Sequence, residues 1–104
     1  MRGAASRGAE VETLILRDLD IEPCQHCDTC LKKGNCKVQD DMQMVYQKLE
    51  QADRIVLASP IHFMSVSSRM KTMIDRCQAL WARKYVLKRP PLGSEPGKKK
   101  GLFI

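Results

Sequence analysis

Four of the five cysteines in this 104-residue chain fall within thirteen residues, from Cys24 to Cys36. Written as spacing, Cys24, Cys27, Cys30 and Cys36 read C-x2-C-x2-C-x5-C. Disulfides are a poor reading, because loops this short fit disulfide geometry badly and add little chain-entropy stabilisation. Four thiolates converging on one metal centre account for the pattern better. Such a stretch has to run as a loop that turns back on itself, and Gly34-Asn35 supplies residues that tolerate the left-handed backbone of that turn. Iron–sulfur patterns include a C-x2-C-x2-C run, whereas zinc sites usually place two C-x2-C pairs well apart. Here Cys27 belongs to two overlapping pairs, which suits a cube of iron and sulfide better than one tetrahedral ion. The spacing favours a [4Fe–4S] cluster and leaves zinc, or thiols without metal, as alternatives.

A chain of this length makes at most one domain. Its 43% hydrophobic and 29% charged residues are those of an ordinary globular chain. No apolar run approaches a membrane span and no signal-peptide core is present, so a thiol-rich site points to a reducing cytoplasm. The net charge of +6 is scattered, with a run at Lys98, Lys99 and Lys100. Aromatic residues do not interleave with it as single-strand nucleic-acid binding requires, so neither nucleic acid nor membrane is expected as a partner.

In chain order, the first residues resemble the last turns of a helix ending at Gly8. Val11–Leu16 reads as a short β-strand, and the cysteine loop follows from about residue 20 to 38, with Pro23 fixing an extended approach to Cys24. Asp40 or Asp41 is a suitable helix N-cap, and Met42, Val45, Tyr46, Leu49 and Ala52 then form one apolar face. Ile55–Ala58 is an apolar run expected of a parallel strand buried on both faces, ended by Ser59-Pro60. Met70, Met73, Ile74, Cys77, Leu80 and Trp81 predict a helix from Ser67 to Lys84, with Cys77 a buried hydrophobe and not a fifth ligand. A Pro/Gly/Lys loop from Arg89 to Lys100 leads to a last strand at Gly101–Ile104. This order predicts an α/β fold with parallel strands, whose ligands bind beyond the carboxyl ends of the strands. The cysteine loop and Ser59–Ser65 both follow predicted strands and are expected to share one rim of the sheet.

These residues carry a resemblance. Arg17-Asp-Leu-Asp-Ile-Glu-Pro-Cys24, the compact cysteine spacing, Asp40-Asp41-Met42, Ala52-Asp53, Ser59-Pro60-Ile61-His62-Phe63 and Lys71-Thr-Met-Ile-Asp75-Arg76 resemble the iron–sulfur flavoprotein branch of the NAD(P)H-dependent FMN reductase family. The resemblance implies a flavodoxin-like three-layer sandwich, with residues 1–104 a partial FMN-binding domain carrying the cluster loop at 20–38. Cys24, Cys27, Cys30 and Cys36 would hold a [4Fe–4S] cluster. Ser59, Pro60, Ile61, His62, Phe63, Met64 and Ser65 would lie against the FMN isoalloxazine. Ferredoxin or NAD(P)H would donate electrons, in a homodimer or homotetramer. Set against that family, the chain would lack the first strand with its phosphate loop and the last strand, as a truncated product would.

No residue stands out as catalytic. His62 could donate a proton beside a flavin or only pack on it, and His26 reads as an exposed loop histidine. Asp40 and Asp41 are accounted for by helix capping, and Lys32-Lys33 by solvated charge. The reading that follows is an FMN-dependent oxidoreductase passing electrons between a [4Fe–4S] cluster and FMN. Its alternatives are an NAD(P)H-dependent FMN or quinone reductase without a cluster, a zinc-stabilised binding module, and an inactive fragment.

Overall fold

The structure, a computed structural model, describes residues 2–89 and 99–104. Its order is α1 (Arg2–Ser6), a 3-10 turn (Leu16–Asp18), α2 (Thr29–Lys33), α3 (Met42–Gln51), β1 (Arg54–Leu57), α4 (Ser68–Arg76), α5 (Gln78–Trp81), a π-helical turn (Ala82–Val86) and β2 (Lys100–Phe103). β1 and β2 pair in parallel, Arg54 with Lys100 through Leu57 with Phe103. The fold is α/β with a parallel sheet, as the alternating periodicity predicts. The Pro/Gly/Lys loop lies, over residues 90–98, outside the described residues. No helix among the described residues is long and apolar enough to cross a membrane.

The core is the face that α3 shows to α4 and α5. Met42, Val45 and Tyr46 from α3 pack with Met70 and Met73 from α4 and Ala79 from α5. Leu14, Leu16, Leu19 and Ile21 close over that cluster from the segment before the cysteine loop. α4 begins where a serine can cap it: the Ser67 hydroxyl accepts from the Met70 N–H at 3.3 Å. α1 ends ahead of Gly8, whose φ of +85° is the left-handed value a helix terminus favours.

Three expectations are corrected. Val11–Leu16 forms no strand: Ile15 is extended and Leu16 opens the 3-10 turn, and no neighbouring strand among the described residues offers the segment a ladder. β1 is covered on one face only, with Ile55 and Leu57 half-buried and Val56 exposed, since a two-stranded sheet with α-helical packing on one side leaves the other side bare. The helix predicted over Ser67–Lys84 breaks at Cys77, whose N–H turns back to the Ile74 carbonyl at 2.9 Å. It then widens into the π-turn, closed by Leu87 N–H on the Ala82 carbonyl at 2.9 Å. Cys77 sits half-buried against the core, as its place on the apolar stripe predicts.

Candidate functional site

The cysteine loop is built from sharp reversals. His26, Asp28 and Gly34 all have left-handed φ, at 56°, 59° and 78°, and α2 lies between the last two. Each reversal redirects the chain within two or three residues, so closely spaced cysteines are not carried off along a regular element. Gly34 is favoured at its position by its backbone, and a side chain there would also press on its neighbours. Its φ is left-handed, and an added Cβ would come within 3.1 Å of Leu87 Cδ1 and 3.3 Å of Arg89 Nη1.

Cys24 and Cys27 are exposed, and Cys30 and Cys36 are half-buried against the core. Burial pushes the Cys30 thiol up, and the negative charges of Cys36, Cys24 and Cys27 push it further. Cys27 is shifted the other way, its thiolate stabilised by the backbone N–H and hydroxyl of Thr29. Among the described residues, no three His, Cys, Asp or Glu side chains converge as the ligand set of a single metal ion. The donor set, four cysteines on one reversing loop, is the all-sulfur set that an iron–sulfur centre takes.

The loop is held at both ends. Asp41 Oδ2 accepts from the Asp20 N–H at 2.7 Å, and Asp40 Oδ2 accepts from the Glu22 N–H at 2.8 Å. Asp40 Oδ1 also accepts from Met42 N–H at 3.0 Å. The capping reading is therefore corrected: Asp40 caps α3, while Asp41 sits at the cap position and uses its side chain across the loop. At the far end, Gln43 Nε2 donates to the Val38 and Cys36 carbonyls, Arg83 Nε to Gly34 O and Arg89 Nη1 to Lys33 O.

Arg76 is the residue that sequence reasoning passed over. Its guanidinium forms a two-pronged pair with Asp40, Nη1 to Oδ2 at 2.7 Å and Nη2 to Oδ1 at 3.0 Å, and Nη1 also donates to Glu22 O. The side chains of Arg76 and Asp40 are 1% and 4% exposed. One signal was available: Arg76 falls three residues after Met73 and three before Ala79, a charge on an apolar stripe. Burial pushes the Asp40 carboxyl up, but Arg76 and the Glu22 and Met42 N–H groups outweigh it and hold it below its usual range. A depressed folded-state value means stability that is present above the unfolded carboxylate pKa, about 3.9, and lost as pH falls through the folded value. Unfolding followed by circular dichroism from pH 7 to pH 2 is expected to show that loss beginning below about pH 4. Replacing Asp40 by Asn should flatten that part of the profile. An unchanged acid limb in the variant would refute the assignment.

The Ser59–Ser65 segment follows β1 as a two-residue hairpin. His62 and Ser65 exchange backbone hydrogen bonds at 2.8 and 3.0 Å, and Phe63 and Met64 between them have φ of 45° and 64°. Two left-handed central residues are the pattern of a type I′ turn, which Asn-Gly satisfies easily and a bulky pair does not. Phe63 is 99% and Met64 93% exposed, and Ile61 is exposed beside them. Ser59 Oγ accepts from Ser67 N–H at 2.9 Å and donates to Pro60 O, tying the hairpin to the α4 cap. Strain and bare apolar surface at one tip are features retained at ligand sites. Replacing Phe63-Met64 by Asn-Gly is expected to stabilise the chain by about 1 kcal/mol, raising Tm by about 4–8 °C. A lowered Tm by calorimetry would show that the tip serves folding.

Among the described residues no hydrogen bond or ion pair joins this hairpin to the cysteine loop. The shared rim expected of two strand ends has no strand at Val11–Leu16 to rest on. α4 connects the two regions instead: its cap holds Ser59 and its last residue, Arg76, holds the cysteine loop. At 1.5 Å per residue, Ser68 to Arg76 spans about 12 Å. Beside it, a shallow cleft is lined by Leu16, Leu19, Ile21, Ser68, Arg69 and Thr72.

The sequence model of the NADPH-dependent FMN reductase family matches residues 1–93. The chain belongs to that family. It is 42% identical over 87 residues to an iron-sulfur flavoprotein of Archaeoglobus fulgidus, covering 84% of this chain and 45% of that one. It is 35% identical over 80 residues to an iron-sulfur flavoprotein of Methanocaldococcus jannaschii, covering 77% of this chain and 42% of the relative. With an iron-sulfur flavoprotein of Methanosarcina thermophila it shares 31% over 85 residues, 82% of this chain and 44% of the relative. The chain spans less than half the length of these relatives. No solved structure matches it. The flavodoxin-like α/β class that the resemblance implied follows from family membership, and the parallel pair β1–β2 is its observed part.

Proposed function

We propose that this chain is the cluster-binding part of an FMN-dependent oxidoreductase that passes electrons between a [4Fe–4S] cluster and FMN. The observation that carries the reading is the C-x2-C-x2-C-x5-C spacing of Cys24, Cys27, Cys30 and Cys36 on a reversing loop in a chain of this family. The names of its relatives support iron and sulfide as the centre. Cys24, Cys27, Cys30 and Cys36 would ligate the cluster. Ser59, Pro60, Ile61, His62, Phe63, Met64 and Ser65 would meet the flavin, with the exposed side chains of Ile61, Phe63 and Met64 available to cover its apolar ring surface. When bound, the cluster passes single electrons and the flavin stores two, which couples one-electron to two-electron chemistry.

The chain's own residues do the rest. Arg76, Asp40 and Asp41 fix the entry to the loop, and Gln43, Arg83 and Arg89 fix its exit. Ferredoxin or NAD(P)H is the expected donor, a homodimer or homotetramer the expected assembly, and the cytoplasm the compartment that keeps the thiols reduced. The test is the visible spectrum of anaerobically purified protein, before and after dithionite. A broad brown absorption that bleaches is expected, with a flavin band superposed when FMN is added. A protein that binds FMN yet stays free of iron after reconstitution would favour the alternative, an NAD(P)H-dependent FMN or quinone reductase without a cluster. A protein that binds neither would overturn both.

A further inference from the structure

Two stretches far apart in sequence meet at the exit of the cysteine loop. Arg83 Nε donates to the Gly34 carbonyl at 3.1 Å, and Arg89 Nη1 donates to the Lys33 carbonyl at 3.1 Å. A Cβ at Gly34 would meet Leu87, Arg89 and Arg83, so α2 lies directly on the π-turn and the residues after it. Lys32 and Lys33, which alone read as solvated charge, are thereby brought beside Lys84, Lys88 and Arg89. All five residues are exposed, and none forms an ion pair among the described residues. Arg83 beside them is half-buried and neutralised by Glu50 at 2.6 Å. Five uncompensated cations in one region come close to the whole net charge of +6, which looks scattered along the sequence.

The same region has an apolar centre. Trp81, Tyr85 and Val86 are exposed large side chains on α5 and the π-turn. The Trp81 and Tyr85 rings pack against each other with centroids 5.9 Å apart, and Lys84 Nζ stands 4.9 Å from the centre of the Tyr85 ring. Ring pairs and cation–π contacts of this kind hold a surface in one shape. The π-turn that presents it is a rare irregularity, met mostly at functional sites. Exposed aromatic side chains inside a charged rim have the make-up of a protein–protein interface. Single-stranded nucleic acid asks for rings free to stack on bases, whereas these two rings are engaged with each other.

We propose that the face made by α2 and the π-turn is a docking surface for a protein with an acidic face. Lys32, Lys33, Lys84, Lys88 and Arg89 attract that partner, and Trp81, Tyr85 and Val86 pack against it. Cations gathered in one field raise the rate of encounter with an oppositely charged partner, and packed contact then sets how long it stays. α2 also carries Cys30, so a partner seated here adjoins the cysteine loop. That the partner is an electron carrier rests on the cluster reading above; that it is acidic does not.

The experiment measures association and dissociation rates of the full chain with a strongly acidic ferredoxin by surface plasmon resonance. Salt is set at about 10 mM and about 150 mM, where charges act over about 30 Å and about 8 Å. K32Q/K33Q/K84Q/K88Q removes four charges whose side chains make no hydrogen bond among the described residues. R2Q/R7Q/R69Q/K100Q removes four exposed charges elsewhere. The first variant is expected to lower the low-salt association rate about tenfold or more and to lose most of the salt dependence. The second should stay near wild type. Y85A should leave association alone and speed dissociation, as the loss of a packed contact does. Rates unmoved in the patch variants overturn the inference. An equal loss in the control does so too, since net charge alone would then account for the attraction. A wild-type chain that ignores the ferredoxin also overturns it, whether or not it binds single-stranded RNA or phosphatidylserine vesicles. Iron and sulfide are assayed on the same samples. A chain that binds through the patch yet takes up neither upholds this inference and sinks the cluster reading.

Discussion

Asp40→Ala is expected to destabilise the chain by about 3–5 kcal/mol, the cost of leaving a buried cation without its partner. Asp40 receives four donors: both terminal guanidinium nitrogens of Arg76 and the backbone N–H groups of Glu22 and Met42. In the Ala variant Arg76 keeps, among the described residues, only the Glu22 carbonyl, and its Nε meets no acceptor there to begin with. Small domains have about 5–15 kcal/mol in total, so the loss would remove a large part of the chain's stability. Urea unfolding monitored by circular dichroism at pH 7 measures it. The double variant Asp40→Leu/Arg76→Met should recover much of the loss, since a buried pair can be replaced by apolar side chains of similar volume. A single variant within about 1 kcal/mol of wild type, the ordinary effect of a point mutation, would show the pair to be peripheral.

That pair also marks where sequence periodicity stops being informative. α3, α4 and β1 lie where the apolar period and the Ser67 cap place them, because each is a local pattern of period or propensity. Asp40 and Arg76 are 36 residues apart, and no periodic signal links them. Asp40 looked like a helix cap because it is one, through Met42 N–H, and that local role concealed the tertiary one. The break at Cys77 was hidden for a similar reason: cysteine fits an apolar stripe whether or not the helix continues through it. Val11–Leu16 failed in the other direction. Its composition suits a strand, but a strand needs a neighbour, and the described sheet contains only β1 and β2. The Phe63-Met64 turn has no sequence signature at all, since a bulky pair at two left-handed positions runs against turn propensity. The expectation of a ligand set at the four cysteines rests on spacing alone, since ligand chemistry, unlike packing, is written in residue type and interval.

Substituting any one of Cys24, Cys27, Cys30 and Cys36 by Ala is expected to abolish retention of iron and sulfide after reconstitution, while Cys77→Ala retains them. Losing a partner one shell beyond the ligands typically costs metal affinity about 10–100-fold, so losing a ligand itself should exceed that. The series separates binding from folding, because the cysteines differ in burial. Cys24 and Cys27 are exposed, and their replacement should change stability by no more than about 0.5 kcal/mol. Lost iron in those two variants therefore cannot be attributed to unfolding. Cys30 and Cys36 pack against the core, and their variants should lose both iron and some stability. Cys77 is half-buried beside Met73, its thiol pushed up by burial, so its removal should cost about 1 kcal/mol and leave the iron content unchanged. Iron and acid-labile sulfide per chain, measured alongside urea midpoints, give both axes at once. If C24A and C27A hold iron as wild type does, the exposed half of the motif is not ligating and the four-cysteine centre fails. If C77A loses it, the fifth cysteine belongs to the centre and one of the four does not.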